Sequence, residues 1–135
     1  MLIQESEVSI KRIEEILKGA FVEIAASSDD HLLAKGENIS ISIGIDHERK
    51  FIRLYFMTKL QYLNMAEACQ ACNLANNSLV NVKFYVEIHE GSVILICDRD
   101  IPYERNLVAY HIVSALRMFD TVVVHAIRNV FSNYL

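Results

Sequence analysis

The run Ile39-Ser40-Ile41-Ser42-Ile43-Gly44-Ile45 decides the fold class. Its strict period of two sets four isoleucines on one face of a strand and small residues on the other. This is the clearest strand in the chain. Immediately before it, His31-Leu32-Leu33-Ala34-Lys35 followed by Gly36-Glu37-Asn38 reads as a shorter strand and a tight turn. After it, the polar segment from Asp46 to Lys50 leads into a further strand, Phe51-Ile52-Arg53-Leu54-Tyr55-Phe56-Met57. The reading is a meander of three antiparallel strands.

Outward from the meander the periodicity becomes helical. From Ser6 to Gly19, Ile10, Ile13 and Leu17, with Phe21 just beyond, fall three or four apart, the spacing of one helix face. Ser6 is the expected N-cap and Gly19 the expected stop, and Glu14 stands four residues before Lys18 on the exposed side. Between Tyr62 and Ser78 a second helix places Tyr62, Met65, Ala66, Cys69, Cys72 and Ala75 or Asn76 on one side. Two alternating runs follow, Val82 to Ile88 and Val93 to Cys97, joined by His89-Glu90-Gly91-Ser92 as a hairpin. The second is continuously apolar, which predicts a central strand covered on both faces or close to it. Pro102 closes the hairpin, and from about Tyr103 one long helix fits the spacing, with Arg117 and Asp120 placed to pair. Val122-Val123-Val124 is a poor helix former, so a short strand competes there; the spacing on both sides favours helix.

Composition bounds what such a chain does. It has 135 residues, 53% apolar, with four glycines and one proline, which predicts one ordered domain over residues 1–135 and excludes disorder. Thirteen Lys plus Arg against 17 Asp plus Glu give a net charge of −4, which argues against binding driven by nucleic-acid phosphates or by an anionic membrane surface. The opening Met1-Leu2-Ile3-Gln4-Glu5 runs directly into an acidic amphipathic segment, so no signal peptide is expected, and Arg117 and Asp120 interrupt the most apolar stretch, so no membrane span is expected either. Three cysteines, an odd number, read as reduced thiols in the cytoplasm.

The predicted order α-β-β-β-α-β-β-α, an α+β fold with helices packed on an antiparallel sheet, resembles class I type III secretion chaperones and the YbjN family of bacterial sensory transduction regulators. Local residues favour YbjN, whose second helix typically ends in Asn-x-x-Asn before a strand opening near Lys-Phe and a hairpin with a glycine turn. Here Asn73-Leu74-Ala75-Asn76, Lys83-Phe84 and Gly91 before Val93-Ile94-Leu95 occupy those places. The charged Asp46-His47-Glu48-Arg49-Lys50 tip and the long apolar last helix depart from the pattern. The resemblance implies a non-enzymatic module that regulates or binds other proteins and often dimerises, and it carries over no catalytic residue. For Asn73 and Asn76 the physical expectation is structural: their amides cap the helix end or tie it to the next strand.

Chemistry-bearing motifs are few. Cys69-Gln70-Ala71-Cys72 lies inside a predicted helix, away from the helix N-terminus that would lower a thiol pKa. Structural zinc needs two more ligands; Cys97 stands alone, and His31, His47, His89, His111 and His125 show no metal-type spacing. No metal, cofactor or catalytic residue is therefore assigned, and the thiols read as small hydrophobes of a core or interface. Surplus hydrophobicity on the last helix is the stronger signal. Val108, Tyr110, Met118, Val122 and Val124 lie off its main stripe and predict a second packed face, with an interface between copies weighed against cover from the same chain. Leu63, Leu74 and Cys69 on the second helix form the rival interface. The expected function is a homodimeric protein-binding or regulatory module, with a small-ligand sensor as the alternative and an enzyme as the least favoured reading.

Overall fold

Helix α1 (Ile10–Gly19) starts where Ser9 accepts a hydrogen bond from the Arg12 amide at 3.1 Å. The computed structural model describes residues 1–135. Ser6 is thus not the cap; it lies in a 3₁₀ turn, Glu5–Glu7, that precedes the helix. Ile10, Ile13 and Leu17 are buried along one stripe, and Glu14 pairs with Lys18 at 3.9 Å. Phe21 does not extend that stripe. It sits at φ 64° and 97% exposed, the residue that reverses the chain after the helix, with the Val22 amide donating to the Leu17 carbonyl.

Six strands form one antiparallel sheet: β2 (Glu23–Ser27), β3 (His31–Lys35), β4 (Ser40–Asp46), β5 (Phe51–Leu60), β6 (Lys83–His89) and β7 (Ser92–Pro102), in the order β2-β3-β4-β5-β7-β6. The expected meander is β3-β4-β5. The sixth strand, β2, is an edge strand of mostly exposed Glu23-Ile24-Ala25-Ala26-Ser27, with an irregular register between Ile24 and Ala26. A short strand β1 (Leu2–Ile3) pairs separately with β8 (Leu107–Val108), ahead of the last helix. The β6–β7 hairpin closes through Glu90 at φ 51° and Gly91 at φ 80°, the two positive angles that a two-residue turn between right-twisted strands requires.

Helix α2 (Met65–Ser78) is capped by Asn64, which accepts from the Glu67 amide at 2.9 Å. Tyr62 lies outside the helix at φ 64° and is 83% exposed. The buried stripe is Ala68, Cys72 and Ala75, displaced from the expected one, so Cys69 and Ala66 face solvent. Helix α3 (Ala109–Asn129) is continuous through Val122, Val123 and Val124. It starts later than Tyr103, because Tyr103 to Asn106 make a turn in which Arg105 and Asn106 take φ 69° and 87°.

Alternation gives the sheet two different faces. On the inner face Leu32, Ala34, Ile41, Ile43, Ile52, Leu54, Leu95 and Cys97 are all at 0% exposure, in one core with Leu17 of α1, Ala75 of α2 and Phe119 of α3. Asp120 is 4% exposed and does not pair with Arg117. It accepts from the Asn38 and Ile39 amides at 3.3 and 3.1 Å and from the Asn38 side chain at 2.9 Å, latching the β3–β4 turn to α3. A Cβ on Gly36 would collide with that carboxylate, which explains glycine in this turn. Arg117 instead reaches the Ala20 carbonyl at the end of α1, at 3.4 Å.

Candidate functional site

The expected interface residues do not form one patch. Val122 is buried at 9% exposure on the side of α3 that faces the chain's own core; it is not a free interface residue. Val124 is half-buried, Leu63 packs partly against the core, and Cys69 is exposed. Val108 and Met118 remain exposed at 36% and 47%, Val108 at the end of β8 and not within the helix. Tyr110 is exposed at 68% as well, and the solvent stripe of α3 also carries Ser114, Arg117, Thr121 and Arg128, so the fold absorbs Val122 and part of Val124 and leaves the rest of the apolar surplus open.

Asn73 faces solvent, whereas Asn76 closes a two-bond ring with strand β6. Its amide nitrogen donates to the Phe84 carbonyl at 2.8 Å, and its oxygen accepts from the Phe84 amide at 2.9 Å. Phe84, Val86 and Ile88 turn their backbone groups away from β7, toward the free edge of the sheet. Asn76 therefore satisfies one step of that edge as a neighbouring strand would, while Ile88 at 61% exposure stays open.

The thiols are separated by environment. Burial pushes Cys72 up to about 11, helped by neighbouring Cys69, and raises Cys97 further still, so both stay protonated and unreactive at neutral pH. No group of three or more His, Cys, Asp or Glu side chains is placed to hold a metal ion.

The feature that sequence reasoning missed lies on the outer face of the sheet, which no helix covers. Ile96 is the one buried apolar residue that stands apart from the core, at 8% exposure. It is flanked across the strands by Met57 of β5 and Tyr85 of β6; the next row toward the hairpin sets Ile94 between Lys59 and Glu87. Both rows except Tyr85 line, with Thr58 and His89, a shallow cleft of about 410 Å³. Toward the opposite end the face turns polar. Tyr85 donates to Asp98 at 2.9 Å, Lys83 sits 4.9 Å above the Tyr85 ring, and Arg53 grips Asp100 through two bonds of 2.8 and 3.2 Å. Burial first, and then the hydrogen bond to Asp98, push the Tyr85 phenol up to about 12. A signal for this face was present in the sequence. In Val93-Ile94-Leu95-Ile96-Cys97 the apolar residues run without alternation, so half of them must leave the core face.

A second concavity of about 400 Å³ lies between the β2–β3 edge and α3, lined by residues that include Phe21, Lys35, Glu37, Arg117 and Asp120. Asp120 and Arg117 are already engaged there by backbone groups of the chain itself.

Comparison with known proteins places this architecture. Residues 9–129 match the family described as "Putative bacterial sensory transduction regulator", YbjN. The crystal structure of YbjN from E. coli, described there as "a putative transcription regulator", superposes with a TM-score of 0.74 over 95% of this chain and 96% of that one, at 10% identity. At that identity the structural likeness shows the fold alone. No curated protein matches the chain significantly. With the family match spanning α1 through the end of α3, the chain belongs to the YbjN family.

Proposed function

We propose that the chain is a non-catalytic regulatory module of the cytoplasm that acts by binding protein, its own copies included. The observation that carries this reading is the outer sheet face, where Met57 is exposed, Ile94 is half-buried and Ile96 is closed only by its neighbours in the sheet, with no helix over the row. Small domains leave few contiguous apolar patches uncovered, and those they leave are commonly contact surfaces for other chains. The net charge of −4 supports protein over nucleic acid as the partner. No helix is long and apolar enough to cross a membrane.

Affinity capture of the full chain from its native cell, followed by mass spectrometry, tests the reading. Recovery of a distinct protein in stoichiometric amount is expected. Recovery of no protein, with a small molecule retained by the purified chain, would favour a ligand sensor instead. The cleft between β2–β3 and α3 is the observation behind that second reading, since it lies between sheet and helix and gathers Lys35, Glu37 and Arg117.

A further inference from the structure

We infer that the outer face of β5, β7 and β6 packs on the same face of a second copy of this chain, across a two-fold axis running along β7. The inference rests on the protein-binding reading and names the partner and the surface. Its basis is the register. Lys59 and Glu87 stand on opposite sides of Ile94, each one strand away, and Met57 and Tyr85 stand likewise about Ile96. A two-fold axis lying between two such faces, parallel to β7, keeps every row level and exchanges β5 with β6. Lys59 of each copy then meets Glu87 of the other, so one contact yields two opposite-charge pairs. Ile94 meets Ile94, Ile96 meets Ile96, and Met57 meets Tyr85. The patch is self-complementary, as a two-fold interface must be.

Other arrangements fit less well. An axis across the strands through the Ile94 row would set Lys59 on Lys59 and Glu87 on Glu87. A partner carrying a single sign of charge would be repelled by one of the two flanking residues. Aligned sheets pack face to face with the side chains of both inner faces interdigitated, which supplies the cover that Ile94 and Met57, the latter 55% exposed, lack in one copy. At the next row Asp98 lies on the axis, 6% exposed and accepting from the Tyr85 hydroxyl, and the same two-fold sets Lys83 of each copy opposite Tyr55 of the other, beside that Asp98.

Charge reversal with rescue tests the axis. Lys59 and Glu87 are both exposed, so their substitutions leave the core intact, which circular dichroism checks. Size exclusion with light scattering, from low to high micromolar concentration, is expected to show a dimer for the full chain. Lys59→Glu and Glu87→Lys should each weaken it by roughly tenfold or more, because each creates like-charge contacts twice, and the double variant should restore it. A strict monomer at high micromolar concentration overturns the inference. So does a dimer that neither single reversal weakens, or one that the double variant does not restore. A monomer that still captures a distinct protein overturns this contact and leaves the protein-binding reading standing, whereas a Lys59-dependent dimer that captures nothing supports the contact and removes a distinct protein as partner.

Discussion

The two faces of the β5–β7 pair are built from neighbouring residues of the same strands, yet they have opposite fates. Ile52, Leu54, Leu95 and Cys97 point into a core closed by all three helices, while Arg53, Met57, Ile94 and Asp100 point to a face with no second layer. Burial of the first set comes from the chain itself. The second set has apolar rows near the hairpin and ion-paired rows at the other end, with no helix over them; in the contact proposed above, a second copy supplies the cover. Strand alternation thus separates, at single-residue resolution, the residues that hold the fold from those assigned to the proposed contact.

The largest expected effect breaks that contrast on the inner side. Leu54 is fully buried, and Leu54→Ala should cost about 2–5 kcal/mol through lost apolar contact and the cavity left behind. Three residues along the same strand, Met57→Ala in dilute solution should change stability by no more than about 0.5 kcal/mol. Chemical denaturation of both variants reads the difference. Equal losses would mean that the outer face is packed within one chain.

How much of this contrast was legible depends on which signal each residue carries. The period of two in Ile39 to Ile45 and the helical spacing of Ile10, Ile13 and Leu17 are direct consequences of burial on one side, and the structure shows both. Edge strand β2 was not legible, because Glu23-Ile24-Ala25-Ala26-Ser27 is mostly exposed and shows no apolar period. On α2 the stripe is displaced since alanines, which carry little periodic signal, make the contact: Ala68 and Ala75 lie against the sheet where Cys69 had been expected. The apolar surplus is divided between two places: Tyr110 and Met118 stay exposed on α3, and Met57 on the outer face of the sheet. A sequence shows that Val122 and Ile96 are apolar, but what lies over each is set by tertiary packing, which takes Val122 into the core and leaves Ile96 apart from it, closed only by its neighbours in the sheet.

At the junction of the two faces, Asn76 closes part of the sheet edge and holds α2 beneath it. Asn76→Ala removes both bonds to Phe84 and leaves its amide and carbonyl without partners. A loss of about 2 kcal/mol is expected, with faster hydrogen exchange in α2 and along β6. Asn73→Ala, at an exposed position of the same motif, should change stability by less than about 0.5 kcal/mol. Similar losses in the two variants would remove the distinction between them and the edge-closing role of Asn76.

The smallest expected effect belongs to the outer face and appears in the pH dependence. Tyr85 keeps its proton up to about 12 in the folded chain, against an ordinary value of 10, because burial disfavours the phenolate and Asp98 accepts from the hydroxyl. A group whose folded pKa is raised stabilises the fold fully below its unfolded pKa, and that contribution disappears as the pH climbs through the folded one. Stability of the wild type should therefore fall between about pH 10 and 12. Cys72 and the raised Lys50, paired with Glu5, contribute in the same direction. Tyr85→Phe should lose about 1 kcal/mol at neutral pH, the net value of one hydrogen bond, and then decline less steeply than wild type in that alkaline window. Denaturant midpoints measured across the window read the slope. Parallel curves for the two proteins would show that Tyr85 titrates as freely as it does in the unfolded chain, and that the outer face offers it no shelter.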